Sequence, residues 1–197
     1  VKVLIAEDEP LVARDLASLV QGLGHQVVAT VDTGRRAVEG ARTLNPELLL
    51  LDVALPGLDG VGVAREILAF RPMPIIMVTA HADPELVNSA AEAGVMNYLL
   101  KPVSQAALRA GIQVACARFA ELQALTQQVR GLTEALEVRK LVEQAKGILM
   151  KRLRLGEAEA FRRLQRRAAA ERRSLREVAQ AVREADRFFG ELETQEN

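Results

Sequence analysis

Tryptophan is absent from the 197 residues, tyrosine and cysteine occur once each, and histidine occurs twice. A single cysteine permits no disulfide within the chain, so burial alone must hold the fold and a reducing compartment is its natural setting. Cys116 stands at helical spacing from Ile112 and Phe119, which predicts a buried structural thiol rather than a reactive one. His25 and His81 are too few for a histidine-built metal centre. No apolar run reaches membrane-spanning length and no leader pattern opens the sequence, which predicts a cytoplasmic protein with no membrane partner. Net charge is missing too, with 26 basic against 26 acidic residues. The balance hides an asymmetry: residues 1–115 carry 9 basic against 13 acidic residues, whereas residues 139–183 carry 14 against 5. A basic segment on an acidic body points to a polyanionic partner for the tail.

Apolar residues make up 49% of the chain and charged residues 26%, the composition of a globular protein. Val3-Leu4-Ile5-Ala6, Val27-Val28-Ala29, Leu48-Leu49-Leu50-Leu51, Pro74 to Val78 and Tyr98-Leu99-Leu100 are short apolar runs. Amphipathic helical patterns separate them. Strands alternating with helices in this way predict a parallel sheet covered on both faces, a doubly wound α/β domain of five strands.

Several of these strands end in reactive side chains. Glu7-Asp8 closes the first, Asp52 the Leu48 run, Thr79 the fourth, and Lys101 the fifth. At the carboxyl ends of parallel strands such residues gather on one rim, where open α/β folds place their chemistry. Three carboxylates on neighbouring strands repel one another unless a cation joins them, and an oxygen-only set selects Mg²⁺ or a similar hard ion. Lys101 and Thr79 can hold phosphoryl oxygens, so one Asp can become an acyl phosphate. For any one of these residues a turn-forming role is the simpler reading; four sets in this order argue against it.

From Gln105 the pattern is helix alone. Leu108, Ile112, Ala115, Phe119, Leu122, Leu125, Val129, Leu132 and Leu136 recur in steps of three or four, with no proline. Leu122, Leu125, Val129, Leu132 and Leu136 form a seam suited to pairing with a partner chain. The other reading packs the first third on the α/β domain and folds the rest back on the tail. The tail itself reads as three helices: one continuing to Leu153, one from about Glu157, and one opened by Ser174 and Glu177 at capping-box spacing. Glu191 to Asn197 are polar and expected to fray.

Glu7-Asp8, Asp52 followed by Pro56-Gly57, Thr79-Ala80 and Lys101-Pro102 together resemble the receiver domain of two-component response regulators. The resemblance implies a flavodoxin-like fold and Asp52 as phospho-acceptor. It implies Mg²⁺ held by Asp8, Asp52 and the backbone carbonyl of Ala54, with Glu7 assisting. It makes Thr79 and Tyr98 the switch pair and Lys101 the phosphate-bound cation. A sensor histidine kinase would be the partner, with no small-molecule substrate beyond a phosphodonor and no catalysis beyond the receiver's own phosphoryl transfer and dephosphorylation.

Within the tail, Gln144 to Met150 followed by Glu159-Ala160-Phe161, Leu164, Ala168, Leu175 and Val178-Ala179 resembles the ANTAR domain. That three-helix module binds RNA hairpins in transcription antitermination regulators, which implies an RNA hairpin partner and a homodimer on activation. Gly147 lies inside a helical pattern, where it costs about 1 kcal/mol relative to Ala, so another helix or a nucleic-acid backbone approaches closely there, the helix being the simpler reading of the glycine alone. Lys146, Met150 and Lys151 lie within two turns of it, and Arg163 and Arg167 can extend the same surface from the next helix. The expected organisation is a receiver domain over 1–118, a coiled-coil linker over 119–138 and an RNA-binding domain over 139–190. A DNA-binding regulator with its third tail helix in a groove, and an adaptor whose tail docks on a protein, are the rival readings.

Overall fold

The computed structural model describes residues 1–80 and 84–195, which leaves His81 outside the described residues. Its elements alternate as β1 (Lys2–Ala6), α1 (Pro10–Gly22), β2 (Gln26–Val31), α2 (Gly34–Thr43), β3 (Leu48–Asp52), α3 (Gly60–Phe70), β4 (Ile75–Thr79), α4 (Pro84–Glu92) and β5 (Asn97–Leu100). Helices alone follow: α5 (Gln105–Leu153), α6 (Glu157–Glu171) and α7 (Leu175–Gln195). Two compact units result, Val1–Ala124 and Leu125–Asn197.

The five strands pair in parallel in the order β2-β1-β3-β4-β5. Side chains alternate across a strand, so the Leu48 run divides between two cores. Leu49 and Leu51 join Leu4, Ile75 and Met77 on the face covered by α2 and α3. Leu48 and Leu50 join Val3, Ile5, Ile76 and Val78 on the other face, under Leu16 and Val20 of α1 and Leu108, Ile112 and Ala115 of α5. A strand buried on both sides has no use for a polar residue until its end, which is why four leucines precede Asp52. Each such burial is worth about 1.5–3 kcal/mol.

Local signals set the helix ends. Pro10 occupies the first turn of α1, and after the helix Gly24 takes φ +79° while the His25 amide donates to the Val20 carbonyl at 3.1 Å. Thr33 accepts from the Arg36 amide and Asp59 from the Gly62 amide, capping α2 and α3. Gly111 lies against β5, where an added Cβ would stand 3.3 Å from Asn97 and Leu99 side chains, so this glycine is a packing device.

Cys116 packs beside the α1–α5 core, and burial pushes its thiol above the ordinary range. Because alkylation needs the thiolate, iodoacetamide should label Cys116 much more slowly in the native chain than in urea at pH 7.5. Equal rates would place the thiol outside the core.

In the second unit, Val142 and Ala145 of α5 meet Leu164 of α6 and Val178 and Ala179 of α7 in a third core. The α7 start is the expected capping box: Glu177 accepts from the Ser174 amide at 2.7 Å, and Ser174 Oγ accepts from the Glu177 amide at 3.2 Å. The helix runs to Gln195, and Arg187 pairs with Glu191 at 2.9 Å one turn on; the last two residues lie outside the described ones. Among the described residues no helix is long and apolar enough to cross a membrane.

Candidate functional site

The chain passes from β1 to β2 on one side and to β3 on the other, so a crevice opens above the carboxyl ends of β1 and β3. Ala6 is in register with Leu51, which sets Glu7 and Asp52 side by side one step further on. Ligand oxygens of Glu7, Asp8 and Asp52 all lie within 4.8 Å of one another. Glu7 and Asp52 are buried and Asp8 is exposed.

Lys101 reaches this edge from β5, its amide donating to the Thr79 carbonyl at 2.8 Å. Its ammonium donates to Asp52 Oδ2 and Glu7 Oε1, each at 2.8 Å. Glu7 Oε2 also lies 2.7 Å from Nζ, yet it is buried and receives no well-directed hydrogen bond. Burial, helped by the charge of Asp52, pushes the Glu7 carboxyl above its ordinary range against the pull of Lys101. For Lys101 burial acts downward, but its hydrogen bonds and charge pairing with Asp52 and Glu7 outweigh it and raise the ammonium. The free chain thus holds more negative charge than one ammonium balances. An oxygen-only donor set in which one buried carboxylate oxygen lacks a well-directed hydrogen bond fits a hard divalent cation.

Thr79 is buried at the end of β4 in register with Leu100, and Tyr98 lies two residues back on the same face of β5, 42% exposed. Ala54 meets Asp52 through its amide, which donates to Oδ1 at 3.2 Å. Gly60, which with Pro56 and Gly57 reads from the sequence as part of the loop after β3, begins α3. A Cβ there would stand 2.5 Å from the Asp52 carbonyl and 2.8 Å from the Val53 Cα, and its amide donates to the Val53 carbonyl at 2.9 Å. Only glycine lets α3 start against the backbone that carries Asp52. Gly60→Ala should therefore destabilise the first unit by about 1–3 kcal/mol, read as a lowered urea midpoint; an unchanged midpoint would mean the loop yields freely.

The tail residues separate into two surfaces. Lys146 is only 8% exposed, and its ammonium donates to Glu143 at 2.9 Å and to Glu157 of α6 at 2.8 Å, 6.0 Å from the Phe161 ring centre. Hydrogen bonds to Glu143 and Glu157 raise it above the ordinary lysine range. Lys146, expected to supply charge beside Gly147, thus ties α5 to α6. Met150, Lys151 and Gly147 are exposed, and nothing lies within 4 Å of a Cβ built on Gly147. Gly147 and Lys151 border a hollow with Arg183 and Asp186 of α7, whereas Arg163 and Arg167 line a separate groove floored by Leu164, Val178 and Val182. One continuous surface through all of them is not what the fold builds. Acidic partners lie close to these arginines: Glu159 pairs with Arg162 and Arg163 of α6, and Glu171 with Arg167 and, just past the helix, with Arg173.

Residues 3–113 match the response regulator receiver domain, and residues 130–182 match the ANTAR domain. The chain belongs to the response regulator family. Along nearly its whole length this response regulator is similar to the transcriptional regulatory protein PdtaR of Mycobacterium tuberculosis, 42% identical over 183 residues, 93% of this chain and 89% of the relative. DNA-binding response regulators named MtrA are similar over about half of this chain; the one from Mycolicibacterium smegmatis is 36% identical over 101 residues, 51% of this chain and 44% of the relative. Among solved structures, the receiver domain of the sensor histidine kinase PA1611 from Pseudomonas aeruginosa is 33% identical, with a TM-score of 0.54 over 58% of this chain and 95% of that one. It holds a magnesium ion in its active-site cleft.

Proposed function

We propose that this response regulator is a cytoplasmic, phosphorylation-controlled RNA-binding protein that promotes transcription antitermination. The reading rests on one observation above others: similarity to a transcriptional regulatory protein extends through both units, at 42% identity over 93% of the chain. The likeness to a DNA-binding regulator covers only 51% of the chain and 44% of that relative. An ANTAR domain as the second unit supports RNA, and hairpins in particular, as what the tail binds.

Glu7, Asp8 and Asp52 are the residues that would hold Mg²⁺, with the Ala54 carbonyl as a further ligand. Bound there, the ion supplies positive charge and a coordination point for a phosphoryl oxygen. Asp52 is the nucleophile: a carboxylate oxygen bonds to phosphorus as the P–N bond of a kinase phosphohistidine, or the P–O bond of a small donor, breaks and the donor's group leaves. Lys101, already 2.8 Å from Asp52 Oδ2, is placed to take a phosphoryl oxygen instead. Thr79 would do the same from β4, with Tyr98 following. The protein turns over nothing else; its own phosphoryl transfer and dephosphorylation are its only catalysis. Phosphorylation would favour a homodimer through the exposed seam of α5.

The deciding experiment titrates a labelled RNA hairpin with protein treated with acetyl phosphate and Mg²⁺, in parallel with Asp52→Asn. Treated protein should bind about tenfold more tightly than untreated, with Asp52→Asn unresponsive. Hairpin binding that ignores the treatment would separate the two units functionally, and a preference for duplex DNA would replace RNA as the target.

A further inference from the structure

Gly147 poses a question that the fold of this chain does not answer. Glycine inside a helix weakens it, and such a residue usually earns its place by letting a neighbour approach. Here no neighbour does so, since a Cβ on Gly147 would enter open space. That space belongs to a hollow of about 460 Å³ bordered by Gln144, Gly147, Ile148 and Lys151 of α5 and by Arg183 and Asp186 of α7.

Charge around the hollow is unevenly compensated. Arg152 donates to Asp186 at 2.5 Å, so the one carboxylate at the rim is already neutralised. Lys151 and Arg183 have no ion-pair or hydrogen-bond partner among the described residues. In the groove between α6 and α7, Arg163, Arg167 and Arg173 are each paired with a glutamate, which leaves Arg166 as its single unpaired cation among the described residues, against two in the hollow. Lys146, the cation nearest Gly147 in sequence, is turned inward and satisfied. Two uncommitted cations on different helices, facing a glycine floor, fit a compact anion that must come close to the backbone. We propose that this hollow seats a phosphate of the RNA backbone, with Lys151 and Arg183 as its cations and Gly147 as the gap that admits it. The proposal rests on the RNA-binding reading above and adds to it a binding residue from α7.

Two substitutions in the full-length protein test it, with hairpin titrations at two salt concentrations and thermal melts. Gly147→Ala should raise the melting temperature, because it strengthens the helix and clashes with nothing. It should weaken hairpin binding nonetheless, and Gly147→Leu should weaken it further. Arg183→Ala should lower affinity about tenfold. The loss should be uniform across hairpin sequences, with the salt slope flattened by about one unit. Arg162→Ala, paired with Glu159 and outside both concavities, should bind as the parent does. Parent-like affinity and salt slope in both Gly147→Leu and Arg183→Ala would overturn the proposal while leaving RNA binding intact. The hollow would belong to a second copy of the chain, which also overturns it, if Gly147→Leu altered self-association in sedimentation but not RNA affinity. A parent protein that binds no hairpin at all would remove the RNA reading and the proposal together.

Discussion

Asp52→Asn should abolish labelling by acetyl phosphate in Mg²⁺. The amide is a poor nucleophile and a poor ligand, and the nearest other carboxylates cannot substitute. Glu7 is buried with its oxygens against Lys101, and Asp8 is exposed to solvent. Asp8→Asn should lower labelling more than the roughly 10–100-fold that loss of a supporting partner at a metal site causes, because it removes a ligand outright. Lys101→Ala has a different signature. It strands Glu7 and Asp52, both buried, with no cation between them, and breaking a buried pair in that way costs about 3–5 kcal/mol. The loss depends on pH. Glu7 already has a raised carboxyl, so its ionised form costs the fold stability as pH rises through that raised value, and protonation relieves the cost as pH falls. Lys101→Ala should therefore be most destabilised near neutral pH, less so toward pH 5, and should regain stability with Mg²⁺. Chemical denaturation at the two pH values checks this. Asp52→Asn that still labels normally would sink the assignment of the acceptor, and pH-independent destabilisation would sink that of the ion pair.

The second large effect is expected on α5. Leu125, Val129, Leu132 and Leu136 are 52–68% exposed, and Leu122 is 51% exposed. Half-exposed side chains of this size gain roughly 1 kcal/mol each on burial. A symmetric pair of helices would bury ten of them, roughly 10 kcal/mol in all before the cost of association, itself about 4–15 kcal/mol. Near-cancellation is what a controllable dimer needs, since a modest bias from the receiver then decides the outcome. Leu122→Glu combined with Val129→Glu should leave the α/β domain folded and abolish any dimer formed after acetyl phosphate treatment. Sedimentation velocity reads this directly; a dimer that survives the double variant places the pairing elsewhere.

Much of the acidic edge was legible because a buried parallel strand advertises its own end. Four leucines leave Asp52 as the first residue free to be polar, and Ala6 does the same for Glu7. The Ser174–Glu177 box was equally plain, being a local motif. Gly60 was not, since its close approach is to backbone that α3 meets only after the chain has folded back. The tie made by Lys146 was hidden for a related reason. Its partner Glu157 lies beyond a helix end, although its place next to Ala145 and one turn past Val142 already set it on the buried face. The pairs from Glu159 and Glu171, by contrast, are one-turn neighbours that spacing alone contains. Arg183 carried no local signal at all; only the approach of α7 to Gly147 distinguishes it from other arginines.

The shared ammonium of Lys101 has an arithmetical consequence. With all three carboxylates ionised, the cluster and its one ammonium sum to two negative charges. A divalent ion would bring the cluster to neutrality and leave Lys101 content with the partners it has. A phosphoryl group on Asp52 would exchange one negative charge for nearly two, and no rearrangement among those same residues could cancel the excess. Neutrality would then have to be sought outside the resting set, from hydroxyl and amide dipoles turned inward from neighbouring loops. On that count a phosphoryl signal would begin as an excess of negative charge, and movement of the surrounding chain would be the response to it.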